Sequence, residues 1–246
     1  MTLVRSLLCT TSVFVASLTI ALAAPAQDLS PPSAPMSGPQ ITFAFDRPGL
    51  TVPQYELTIR RDGSAVYAGE ELPSPVGPYP SGPDPTSARP AQTFRSVVSI
   101  SPATVGRVFA LAQKLNHFNV ACASKAKNMA DTGTKKLTYT APDGSGSCTY
   151  NYSENKDVET LTQTFEGIAE TMDAGRHLDY LHRYDRLGLD AAMISLAEEV
   201  SAGRALEVGT IAPSLTAISQ DAMVIQRVRG KADSLLTLVP AAGQPR

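Results

Sequence analysis

Three histidines, three cysteines, two Ser-x-x-Lys matches and two pairs of adjacent acids are the groups in this chain able to do chemistry. Imidazole ligates metals and moves protons near neutral pH, so His117, His177 and His182 come first. His177 and His182 lie on different sides of an ideal helix, whereas helix-borne zinc sites use the i, i+4 spacing. Asp179, Tyr184 and Asp185 are sequence neighbours, which leaves open a dispersed hydrolytic site near His177 and His182. The simpler reading is a solvated helix face with Leu178 and Leu181 buried beneath it. Ser124-Lys-Ala-Lys127 and Ser153-Glu-Asn-Lys156 match S-x-x-K, but the companion motifs of penicillin-recognising enzymes and a G-x-S-x-G elbow are absent. Members of a Ser–His–acid triad need not be neighbours, and no residue here announces one. Glu70-Glu71 and Glu198-Glu199 aim their acids in different directions on strand or helix alike, which suits solvation. Gly144-Ser-Gly146 sits between strand patterns, where a hairpin turn accounts for it. No catalytic set, cofactor or metal site is expected.

The cysteines divide by position. Cys9 lies in a leader: Met1 to Arg5, an uncharged run from Leu7 to Leu22, then Ala21-Leu-Ala23 and Ala24-Pro-Ala26. One basic residue, an apolar stretch and a small-residue exit read as a secretory signal peptide over residues 1–26. The alternative is an uncleaved inner-membrane anchor, since a span needs roughly 20 apolar residues. Thr10, Thr11, Ser12, Ser17 and Thr19 dilute the run, and no Lys/Arg cluster follows. Export, periplasmic or extracellular, puts Cys122 and Cys148 where a pair tends to oxidise. A structural disulfide is therefore expected over two buried thiols or a redox pair, for which C-x-x-C is missing. Closing a loop of about 25 residues stabilises by about 3 kcal/mol. Cleavage removes Arg5, leaving 20 basic against 23 acidic residues, a net charge of −3. That balance gives no electrostatic reason to bind nucleic acid, and no stable membrane insertion is expected once the leader is gone.

Periodicity supplies the scaffold. Residues 27–39 form a Pro/Ser-rich linker. Ile41, Phe43 and Phe45 alternate as a strand, and residues 54–69 read as a hairpin turning at Asp62-Gly63. The proline density from Leu72 to Pro90 excludes regular structure and marks a mobile excursion or, alternatively, a docking element. Phe94, Val98 and Ile100 then share a strand face. Ser101-Pro102 reads as the cap and first residue of a helix carrying Val105, Val108, Phe109, Ala112 and Leu115. Residues 121–136 read as a loop bearing Lys125, Lys127, Lys135 and Lys136. A second hairpin presents Leu137 and Tyr139 against Cys148, Tyr150 and Tyr152. A helix with Val158, Leu161, Phe165, Ile168 and Met172 follows, with Gly175 as its plausible end. Beyond Leu178 only helical signals remain, with Gly203, Gly209 and Gly230 as candidate breaks.

The order of these elements resembles a family of secreted bacterial domains of unknown function. The resemblance covers roughly residues 40–185 and is carried by Pro53-Gln-Tyr55, Asp62-Gly-Ser-Ala-Val-Tyr67-Ala-Gly69 and Phe118. It implies the fold and the compartment only. Members usually carry two cysteines directly before the position of Pro53, where this chain has Arg47-Pro-Gly-Leu-Thr-Val, so no role of those cysteines transfers.

The sequence thus describes an α+β protein of antiparallel hairpins and two packed helices over residues 40–185, with a helical extension over 186–240. Its expected function is that of an exported, non-catalytic binding protein with a protein or envelope partner. The alternatives are the hydrolase near His177 and His182 and a purely structural envelope protein.

Overall fold

Alternating apolar residues build the sheet. β1 (Gln40–Asp46), β2 (Gln54–Arg60), β3 (Ser64–Glu71), β4 (Gln92–Ser99), β5 (Thr134–Ala141) and β6 (Gly144–Tyr150) form one antiparallel sheet in the order β4-β3-β2-β1-β5-β6. This computed structural model describes residues 38–72, 91–126, 130–142 and 144–239. The leader 1–26, the linker up to residue 37, the Pro-rich segment 73–90 and Lys127 lie outside the described residues. The expected hairpin over 54–69 turns at Gly63, where φ is +87°, and Asp62 accepts hydrogen bonds from the Ser64 amide and hydroxyl at 2.9 and 2.7 Å. One sheet face carries Ile41, Phe43, Leu57, Ile59, Tyr67 and Leu137, all fully buried. The other presents Thr42, Thr58, Thr138 and Ser147 in one cross-strand row.

The buried face is covered by α1 (Pro102–Lys114) and α2 (Lys156–Tyr184). Ser101 caps α1 by accepting the Thr104 amide at 3.3 Å, and Asn155 caps α2 by accepting the Asp157 amide at 2.9 Å. α3 (Leu189–Ser201), a 3-10 turn (Val208–Ile211), α4 (Ala212–Gln220) and α5 (Gln226–Leu236) follow. The fold is α+β. Two apolar clusters share α2: Val158 to Met172 pack with the sheet and α1, while Leu178 and Leu181 pack with α3, α4 and α5.

Gly175 does not end α2, which continues to Tyr184. A Cβ at Gly175 would stand 2.3 Å from the Ile211 side chain, so the glycine serves close approach. Two turns earlier, Leu206 donates its amide to the Gly167 carbonyl at 2.9 Å, and one turn earlier Thr171 donates its hydroxyl to the Leu206 carbonyl at 2.6 Å. These contacts seat residues 204–211 on the helix. Glu207 then places its carboxylate at the start of α1, accepting from the Ser101 amide (2.9 Å), the Ser101 hydroxyl (2.6 Å) and the Thr104 hydroxyl (2.5 Å).

Between α1 and β5, Asn116, His117 and Phe118 adopt φ values of +50°, +54° and +67°, a left-handed turn of three residues that all carry side chains. Phe118 is fully buried, and the His117 ring stacks on Tyr139 at 4.2 Å. The turn sits directly on β6: a Cβ at Gly146 would come within 2.1 Å of the His117 carbonyl oxygen. Cys122 and Cys148 then form a disulfide with Cα atoms 5.8 Å apart.

Three further expectations are corrected. Lys135 and Lys136 belong to β5 rather than to a loop, because the strand starts at Thr134. Tyr152 lies past the end of β6 and is half exposed, so it does not share the buried face of Cys148 and Tyr150. Gly230 lies inside α5, and a Cβ there would meet nothing within 4 Å. The sterically open site makes Gly230→Ala stabilising by about 0.5–1 kcal/mol, through lower unfolded-state entropy and higher helix propensity. Urea unfolding checks this as a raised midpoint with an unchanged slope.

Candidate functional site

The histidines do not converge. His117 is held in the left-handed turn, and His177 is exposed on α2. His182 shares the Asp221 carboxylate with Arg186, at 2.9 and 3.2 Å. Leu178 and Leu181 are buried beneath this helix face, as its spacing requires. Asp221 also accepts the Met223 amide at 2.8 Å, and that bond, with His182 second, holds its carboxyl below the ordinary range. Asp179, His182, Arg183, Arg186, Ala217 and Asp221 line an open cavity of about 530 Å³. The lining supplies an acid–imidazole pair and two guanidinium groups but no hydroxyl or thiol. In the Ser-x-x-Lys matches, Ser124 accepts the Ala126 amide at 3.0 Å and Ser153 accepts the Asn155 amide at 3.2 Å, which makes both serines local turn-formers. Among the described residues no group of three or more His, Cys, Asp or Glu is placed to hold a metal.

The densest set of ionisable groups lies elsewhere, where α2 crosses one end of the sheet. A single cross-strand row runs Phe94, Gly69, Tyr55, Phe45, Lys135, Tyr150 through β4, β3, β2, β1, β5 and β6. α2 meets this end of the sheet from one side to the other. The Thr162 and Tyr150 hydroxyls bond at 2.6 Å over β6, and Glu166 stands 3.9 Å from the Lys135 ammonium over β5. Over β3, Asp173 accepts the Tyr67 hydroxyl at 2.8 Å. Over β4, Arg176 lies 3.6 Å above the Phe94 ring and bonds Glu71 at 2.7 Å and Asp173 at 2.9 Å.

Lys135 is 6% exposed, and that burial is the reason its amine sits below the ordinary lysine range. Strand alternation turns it inward, where the Thr132 carbonyl and hydroxyl (both 3.1 Å) and the Asn151 carbonyl (3.2 Å) accept its protons. Burial likewise raises the carboxyls of Glu166, Glu170 and Asp173, against the opposing pull of Lys135, Arg204 and Arg176. Tyr55 is 9% exposed, with its ring against Phe45 at 5.1 Å and Tyr67 at 5.5 Å. Burial first, then the charges of Glu166, Asp173 and Glu170, push its phenol up.

A carboxyl raised in the folded state binds its proton more tightly there than in the unfolded chain. Its contribution to stability is therefore present at low pH and is lost as pH rises from the unfolded value, about 4.3 for Glu, through the folded one. Glu170→Gln should raise the melting temperature at pH 7, where it removes the charge facing Asp173 and Glu199. The gain should shrink to nothing below about pH 4. Thermal unfolding of both proteins across pH 3–8 checks this, and a gain constant with pH would contradict it.

The seam joins acids three and four residues apart on a helix, so neither pair of adjacent acids marks it. The usable signal was the spacing Glu166, Glu170, Asp173 on one helix face. The chain matches no family model and no curated protein.

Proposed function

We propose that this chain is an exported, non-catalytic binding protein of the cell envelope that engages a protein partner through the exposed end of α2. The observation that carries the reading is a set of large apolar side chains left in solvent at and just beyond the end of α2. Tyr180 and Tyr184 pack ring to ring at 5.2 Å while 58% and 68% exposed, and Leu187, three residues on, is 93% exposed. Large aromatic side chains with little rotamer freedom are the usual anchors of protein interfaces. The leader over residues 1–26 and the Cys122–Cys148 disulfide support an oxidising compartment. No helix among the described residues is long and apolar enough to cross a membrane. The resemblance of residues 40–185 to secreted domains fits the same address.

A photo-crosslinking residue at Tyr184, irradiated in the native envelope, tests the reading. A discrete protein adduct is expected, abolished by Leu187→Asp and absent when the probe stands at Arg107. No discrete adduct, or the same adduct from position 107, overturns it. The hydrolase alternative rests on the His182–Asp221 pair. It requires a turnover by the purified chain that His182→Ala removes, and an unchanged rate in that variant rejects it.

A further inference from the structure

Arg176 makes the last polar contact of α2 with the sheet, over the edge strand β4, so the turns that follow project past it. One side of these turns is buried against α3, α4 and α5 through Leu178 and Leu181. The other carries His177, Tyr180, Tyr184 and, just past the helix end, Leu187, at the alternating three- and four-residue spacing of a single helix face. All four side chains are exposed. Two opposite charges, Asp179 and Arg183, stand beside this stripe one turn apart, a spacing at which such residues ordinarily pair. Among the described residues neither has an ion-pair partner, and Arg183 lies only against the ring of its neighbour, 5.8 Å from the Tyr184 centroid. His182 and Arg186, by contrast, are both engaged by Asp221.

The order of these residues reads alike from either end. About a centre at the level of His182, Tyr180 is opposite Tyr184 and His177 is opposite Leu187. Asp179 and Arg183 fall two residues short of opposite positions, about 3 Å of helix rise, which the long arginine side chain spans. A two-fold axis at that centre lays the helix antiparallel on itself, and residue i then meets residue j while j meets i. The unpaired charges become complementary in that arrangement: each copy's acid faces the other's base. The area is adequate as well. Burying the stripe with its two flanking charges removes on the order of 700 Å² per copy, close to the ~800 Å² that a standard interface takes from each partner.

We propose that the C-terminal turns of α2 are a homodimer interface, packing antiparallel on the same turns of a second copy of this chain, with Tyr180 against Tyr184 and Asp179 paired to Arg183 across the two-fold axis. This rests on the reading of the exposed helix end as the partner surface and names the partner. The aromatic rings supply the apolar centre, and the two charge pairs at its border fix the antiparallel register.

Sedimentation velocity of the purified chain from about 1 to 300 µM tests the interface, and a reversible dimer is expected within that range. Asp179→Arg and Arg183→Asp each bring like charges together twice across the axis and should weaken the dimer at least about tenfold. The double variant restores opposite pairs and should return it to near the parent's affinity. Tyr184→Ser should also weaken it at least about tenfold, while Arg107→Asp on α1 leaves it unchanged. These side chains are all exposed, so the substitutions leave the fold intact. The proposal fails if the chain stays monomeric throughout, if the dimer is indifferent to the single charge reversals, or if the double variant associates no better than they do. The photo-crosslinking residue at Tyr184 separates the second copy from the wider reading. An adduct of twice the chain mass is expected. An adduct of another mass from a monomeric chain overturns the second copy and leaves the partner surface standing, and no adduct at all removes both.

Discussion

Replacing Cys122 and Cys148 together by serine should lower the unfolding free energy by about 3.5 kcal/mol, the chain-entropy value for their sequence separation of 26. The loss should be larger than for most surface changes because of what the disulfide closes. It ties the segment leaving α1 to β6, the edge strand beside β5. That segment contains the left-handed turn Asn116–Phe118, a conformation that costs roughly 1–2 kcal/mol per residue bearing a Cβ. Burial of Phe118 and the stacking of His117 on Tyr139 offset this locally. With the strap cut, the turn and β6 should lose order before the central strands do. Urea unfolding of the serine double variant, and of the reduced parent protein, should give the same deficit. Hydrogen exchange should show amides 118–124 and β6 opening at lower free energy than β1 and β2. A deficit below about 1 kcal/mol would rule out the loop-closure account.

Glu207→Ala should cost about 2–3 kcal/mol, because its carboxylate collects three donors at the first turn of α1. Ser101 and Thr104 are left without the acceptor around which they are arranged, and Thr104 is only 6% exposed. Glu207 itself sits at φ +57°, ψ +48°, a region that L side chains adopt at a cost. Glu207→Gly loses the same bonds but relieves the backbone, so it should be less destabilising than Glu207→Ala by about 1 kcal/mol. Chemical denaturation of the two variants checks both the loss and the difference. Equal destabilisation would mean that the backbone at Glu207 is not strained.

The strands, the cap at Ser101 and the apolar stripes of α1 and α2 were legible because period and cap chemistry are local. The contacts that shape the seam were not, because they depend on register. Lys135 reads as one of four lysines in a polar stretch until its position opposite Phe45 and Tyr150 is known, after which alternation turns it inward. Gly175 reads as a helix end because glycine often is one. Its use here depends on Ile211, a residue from a different part of the chain. Glu207 and Ser101 likewise meet across more than a hundred residues, and no spacing rule joins them. The disulfide was legible as an expectation, because reading Cys9 as part of an export leader leaves two cysteines and one pairing.

The position of β1 bears on how the chain is assembled. It is the first strand among the described residues, yet it lies inside the sheet between β2 and β5. β2, β3 and β4 add beside it in chain order, each to the strand made just before it. The opposite edge of β1 waits for residues 134–141, since Gln40 pairs with Thr140. A chain emerging from its N-terminus therefore carries a four-stranded half-sheet with one edge of β1 unpaired for the whole time that α1 and the left-handed turn are being made. Loop-closure entropy makes such a long-range pairing slow. This open edge, rather than any local element, is where misassembly between two growing copies would begin.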